Sequence, residues 1–193
     1  PTLKQFTLGG NAAAYGASTN SGIGWAYKAD NGLAVSSNVV SKQNKGTKAS
    51  ETGETGFLTS ESATSWATQV GYTQPNYSVS AIVNYKSHGW TDSYFSTETG
   101  LLRSSVSGSG LSDSTNIGLR AWLRPEESGS AIPSISVGYD MSDIQYGADT
   151  VDQTDMWFAG FGWNDMFRAD DKIGVAIGQP QTREDETSDP FGW

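Results

Sequence analysis

An all-β antiparallel fold is what this sequence predicts, and three features predict it. Apolar and small polar residues alternate with period two, the repeat that puts successive side chains on opposite faces of a strand. The alternating runs are separated by clusters of Gly, Asn, Asp, Ser and Pro, in a chain of 193 residues holding 23 glycines and 6 prolines, and these are the residues that tolerate turn geometry. No segment carries the 3.6-residue apolar stripe of an amphipathic helix.

The elements follow in chain order. In 22–28, Ile23, Trp25 and Tyr27 share one face and Gly24, Ala26 and Lys28 the other. Asp30-Asn31-Gly32 then predicts a hairpin turn, because Asn and Gly accept positive φ. The return strand runs from about Leu33 to Ser41, with its facing ambiguous. A second pair sets Trp66, Val70 and Tyr72 on one face. After the Gln74-Pro75-Asn76 turn, Tyr77, Val79, Ala81, Val83 and Tyr85 line one face. A third pair carries Ile117, Leu119, Ala121 and Leu123, then Ile135, Val137, Tyr139 and Met141. A fourth carries Trp157, Ala159, Phe161 and Trp163, then Ile173, Val175 and Ile177, joined through 164–171. That makes at least eight strands in four hairpins. Weaker strands are expected at 3–8 and from Phe191 onward.

The connections within pairs are short, and those between pairs, about 42–62, 87–115 and 142–154, are longer and rich in Ser, Thr, Gly and acid. Alternating short and long connections are the rhythm of a transmembrane β-barrel, with short turns at one rim and long loops at the other. A soluble sandwich produces the same two faces, with the apolar one turned to a core. Aromatic placement favours the barrel. Tyr77 and Tyr85 bracket one apolar stripe and Trp157 and Trp163 another. Eight residues rise ~26 Å along a strand, or roughly 19 Å at a 45° tilt, near the height of an apolar band. Trp25, Tyr27, Trp66, Tyr72 and Tyr139 complete an expected aromatic girdle.

Composition narrows the function. No cysteine and a single histidine, His88, exclude thiolate chemistry and make a histidine triad or metal site improbable. No Gly-x-Ser-x-Gly elbow or HExxH motif is present. A jelly-roll glycosidase needs two carboxylates facing one cleft. Glu51, Glu54, Glu61, Glu98, Glu126, Glu127, Glu184 and Glu186 all fall in predicted loops or turns instead. The acidic segments 140–155 and 184–189 match no EF-hand and read as solvated loops. No catalytic residue, metal or cofactor is expected. A net charge of -9 argues against nucleic acid as partner. That charge is uneven: six basic and five acidic residues fall in 1–96, against six and sixteen in 97–193.

One polar constellation stands out. With Ile117, Leu119, Ala121 and Leu123 facing lipid, Asn116, Arg120, Trp122 and Arg124 face the interior, and Lys28 and Lys172 fall on equivalent faces. Fixed charges along a narrow pore set its ion selectivity. The competing reading pairs these arginines with acidic loops folded into the barrel.

The stretches Gly118–Pro125 and Ile132–Tyr139, then Trp157–Phe167 and Gly174–Pro180, with Leu8-Gly9-Gly10-Asn11 ahead of them, resemble cyanobacterial outer-membrane porins. These are the Som-type or iron-uptake porins, related to the OprB-like carbohydrate-selective porins. The likeness is best over 116–193 and weak over 20–115. It implies a barrel of about sixteen strands, trimeric in outer-membrane lipid, passing inorganic ions and small hydrophilic solutes. It also implies an SLH-type domain, which this chain lacks, and more strands after Trp193, so that residues 1–193 are about half of one barrel domain. Two alternatives remain from the residues themselves: a complete eight-stranded outer-membrane barrel serving as an anchor or adhesin, and a secreted β-sandwich that binds sugar through exposed tryptophans.

Overall fold

The computed structural model describes residues 21–42, 62–87, 111–127, 129, 131–146 and 153–184. Eight strands occur in them: β1 (Ser21–Lys28), β2 (Leu33–Lys42), β3 (Ala63–Thr73), β4 (Tyr77–Ser87), β5 (Leu111–Leu123), β6 (Ser134–Tyr146), β7 (Gln153–Asn164) and β8 (Lys172–Glu184). They form one antiparallel sheet in sequence order, β1 to β8, and no helix occurs among the described residues. The sheet is open: β1 and β8 are its two edges. The segments 3–8 and 191–193, His88 and the first four glutamates lie outside the described residues.

The alternation locates every strand, but several ends differ from expectation. β5 begins at Leu111, β6 runs on to Tyr146 and β7 starts at Gln153. The connection 147–152 is therefore shorter than the turn 124–133, and the short–long rhythm fails at that hairpin. The acidic segment 140–155 is thus mostly strand rather than loop, and Glu184 is the last residue of β8. The reason is physical. Residues such as Asp113, Ser114, Thr115, Ser142 and Asp143 have loop-like side chains, yet their backbones extend the ladder, Thr115 pairing with Asp143 and Asn116 with Ser142. Cross-strand pairing supplied by a neighbour overrides weak local β-propensity.

The register is staggered. Lys28, the last residue of β1, opens a row that runs Ala34, Gly71, Ser80, Arg120, Gly138, Phe158 and Gly178. Gly178 lies six residues inside β8 from Lys172. The row therefore climbs from one rim of the sheet at β1 into the middle of β8, which is the signature of strands tilted against a common axis. The register also resolves the facing of β2: Val35, Ser37 and Val39 stand opposite Tyr27, Trp25 and Ile23.

The four connections at the rim formed by 29–32, 74–76, 124–133 and 165–171 are stitched together by main-chain hydrogen bonds. Thr73 N–H donates to Gly32 O (3.0 Å), Arg124 N–H to Asn76 O (2.7 Å) and Gly129 N–H to Asn164 O (3.0 Å). The first turn is the expected one. Gly32 has φ 96°, a conformation that side-chain-bearing residues rarely adopt, and a Cβ there would collide with the carbonyl oxygen of Thr73.

The last turn is organised by carboxylates. Asp171 accepts hydrogen bonds from the backbone N–H groups of Met166 (2.8 Å), Phe167 (3.0 Å) and Arg168 (3.1 Å), and Asp165 accepts one from Asp170 N–H (2.7 Å). Desolvation pushes the Asp171 carboxyl up. The Phe167, Met166 and Arg168 N–H groups outweigh it and hold the pKa below its usual 3.8. A depressed folded pKa stabilises the turn above the unfolded pKa and loses that contribution as pH falls through the folded value. The protection factors of the Met166, Phe167 and Arg168 amides are therefore expected to be highest at neutral pH and to fall severalfold below about pH 3.8. Asp171→Ala should abolish this pH dependence.

Candidate functional site: the polar face of the sheet

The two faces of the sheet have inverted burial. Large apolar side chains are exposed: Ile23 is 69%, Ile177 61% and Val79 50% accessible. Small and polar side chains on the opposite face are the buried ones. Asn116, Asp140, Ser142 and Thr154 are fully inaccessible, and Lys86 is 1% exposed. The buried apolar set among the described residues is small: Ala63, Ala67, Ile82 and Met156. An ordinary soluble sheet puts its large apolar residues inside.

All nine expected girdle aromatics lie on the apolar face. Trp25, Tyr27, Trp66, Tyr77, Tyr85, Tyr139 and Trp157 are exposed, while Tyr72 and Trp163 are half-buried. Three of the tryptophans have partners for their indole N–H groups. Trp66 Nε1–H donates to Ser37 Oγ (3.0 Å), which is also 2.9 Å from Thr68 Oγ1. Trp157 Nε1–H reaches Gln179 Oε1 (3.2 Å) and Trp163 Nε1–H reaches Ala131 O (3.0 Å). Toward the other rim the same face turns acidic. Asp113 stands beside the Tyr85 hydroxyl, Asp143 pairs with Thr115 and Asp155 with Met141.

On the polar face the sequence-predicted residues share a side but not a site. Lys28 and Lys172 are exposed and belong to opposite edge strands. Asn116 is buried on β5. Its Nδ2 donates to Asn84 O (3.2 Å) and Ser114 Oγ (3.1 Å), and its Oδ1 is buried without a hydrogen-bond partner. Trp122 is half-buried, between Ser78 and Ser136 in the register. Arg124 is not on the strand, because β5 ends at Leu123. It opens the turn instead, with its guanidinium 4.4 Å from the centre of the Trp122 ring.

Arg120 forms an ion pair with the neighbouring strand. Its Nη1 and Nη2 donate to Asp140 Oδ1 (2.7 Å) and Oδ2 (2.6 Å). The guanidinium also lies 5.4 Å from the centre of the Phe158 ring. Gly138 makes this possible. It stands between Arg120 and Phe158 in the register, and a Cβ there would collide with the Phe158 ring. The Arg120 charge is met by a buried carboxylate on the next strand. The alternation already sets Asp140 within a strand, between Tyr139 and Met141, but nothing local pairs it with Arg120.

Three polar-face glycines answer to no crowding. A Cβ at Gly71 would meet Ser80 Cβ at 3.6 Å, and at Gly160 and Gly162 the nearest atoms are 3.9 Å away. Those are ordinary van der Waals separations, so missing side chains leave space on this face rather than accommodate a neighbour. Glycine inside a strand weakens it.

Among the described residues no group of three or more His, Cys, Asp or Glu side chains could hold a metal ion. No helix is long and apolar enough to cross a membrane, which says nothing of strands. No protein family, curated protein or solved structure matches the chain.

Proposed function

We propose that this chain is an arc of a transmembrane β-barrel channel. More particularly, we read it as part of an outer-membrane porin of the cyanobacterial Som-type class, a homotrimer passing ions and small hydrophilic nutrients by diffusion. The observation that carries the reading is the inverted burial: large apolar side chains exposed on one face, polar ones buried on the other. Lipid meets the first; the second is the interior side, packed around Asn116, Asp140, Ser142 and Thr154 and open to lumen water where Lys28, Ser136 and Lys172 are exposed.

Four further features support it. The stagger of the register fits tilted barrel strands. The outward Ser37, Thr68, Trp66 and Trp157 have hydrogen-bond partners within the sheet, as a medium without water requires. The outward apolar rows give way to Asp113, Asp143 and Asp155 at one rim, and carboxylates belong outside a hydrocarbon layer. The uncrowded glycines widen the interior, whereas an eight-stranded barrel fills its interior with side chains. Transport through such a wall needs no covalent chemistry. Selectivity comes from the field of fixed charges, to which the neutralised Arg120–Asp140 pair adds little and Lys28, Arg124 and Lys172 add more.

The test is planar-bilayer conductance of the full-length protein. Discrete, long-lived channels with near-ohmic current are expected. A protein that remains monodisperse without detergent and gives no channels overturns the reading in favour of a soluble sandwich.

A further inference from the structure

We propose that the polar face holds a binding subsite for a small polyhydroxylated anion, at the rim where β1–β4 meet the first two turns. The inference rests on the pore reading above and names a solute class for it. A groove with a volume of about 460 Å³ lies there, lined by Lys28, Ser36, Gln69, Thr73, Ser78 and Ser80 over a floor of small residues.

Three observations carry it. First, the floor is Ala26, Ala34 and Gly71, and Gly71 has room for a Cβ that it lacks. A mid-strand glycine that packing does not require costs the sheet stability, and what it yields is the volume of the groove. Second, the rim is rich in hydrogen-bonding groups that the fold leaves unused. Thr73 and Ser78 satisfy each other at 2.8 Å. Among the described residues the side chains of Lys28, Ser36, Gln69 and Ser80 have no hydrogen-bond or ion-pair partner. They present an ammonium, two hydroxyls and an amide to one space. Third, no carboxylate lines the groove, although the chain as a whole carries a net charge of -9. The nearest charge along the Lys28–Ser80 row is Arg120, already matched by Asp140.

That donor set selects a ligand chemistry. The unopposed ammonium favours a carboxylate or phosphate. The hydroxyls and the amide both donate and accept, as a row of ligand hydroxyls does. Neutral polyols lack the contact with the ammonium, and a simple anion is too small to span the ammonium and the whole row of hydroxyls and amide.

Binding of gluconate, glucose 6-phosphate, glucose and inorganic phosphate to the detergent-solubilised full-length protein tests this, read by saturation-transfer NMR and calorimetry. Gluconate and glucose 6-phosphate are expected to bind about tenfold more tightly than glucose or inorganic phosphate. If only one of the two anions gains, it identifies the anionic group. Lys28→Met should remove that advantage, bringing gluconate and glucose 6-phosphate down to the affinity of glucose. Gly71→Leu, which fills the floor, should abolish binding of all sugars. Arg168→Met, the same loss of charge in the last turn, should leave every affinity unchanged. Equal affinities for glucose and the two anionic sugars overturn the proposal, as does indifference to Lys28→Met or Gly71→Leu. Conductance without added solute reports separately on the pore: channels that ignore gluconate sink the subsite alone, and solute binding without channels sinks the pore alone.

Discussion

Leu119→Arg is expected to destabilise the sheet in a lipid bilayer by about 2–4 kcal/mol, the cost of a cation on the lipid side near the midplane. Leu119 is 44% exposed on the apolar face, near the middle of the outward stripe on β5 that runs from Ile117 to Leu123. Ser136→Arg places the same side chain at an exposed position on the other face, where water solvates it and the expected change is within about 0.5 kcal/mol. The contrast is the decisive quantity. Were the exposed Leu119 a water-facing surface position, arginine there would cost as little as at Ser136. Urea titration of the two variants refolded into vesicles measures both numbers. Equal costs would mean that the apolar face does not meet lipid.

Breaking the Arg120–Asp140 pair is expected to cost about 3 kcal/mol, because removing one partner strands the other charge. Arg120→Met leaves Asp140, fully inaccessible, without its bidentate donor. Arg120 is itself a quarter exposed, so part of its field is screened and the cost falls toward the lower end of the usual range for buried pairs. The double variant Arg120→Met/Asp140→Leu should recover most of the loss, since an apolar pair of similar volume needs no compensating charge. A double-mutant cycle on unfolding free energies reads the coupling directly. The single variant has a second readout. Uncovering Asp140 adds a negative charge to the polar face, and the reversal potential of an open channel should move toward cation preference. A coupling below about 0.5 kcal/mol would show the pair to be no more than a screened surface contact.

Much of the architecture was legible in the residues. Period-two alternation located all eight strands, and Asp30-Asn31-Gly32 marked the first turn, because a strand's facing and a left-handed turn are local properties. Strand ends were not legible at β5–β7. There Asp113, Thr115, Asp143 and Asp155 read as loop, and only the ladder to a neighbouring strand identifies them as extended. Arg124 was placed one residue too far into its strand for the same reason: nothing local marks Leu123 as the last ladder residue.

The site divides along the same line. The sequence by itself determined that Lys28, Asn116, Arg120 and Trp122 share a polar face opposite the aromatic one, since parity along a strand is fixed by covalent geometry. Only the tertiary structure decided which of them act together. Asp140 reaches Arg120 because β5 and β6 pair in one particular register and Gly138 leaves the guanidinium a path beside Phe158. Lys28 faces an open groove because Gly71 falls in its row two strands away. The inverted burial belongs to the tertiary structure as well. Alternation creates two unlike faces, but which one is hidden depends on how the whole sheet is arranged in space, and no local signal carries that choice.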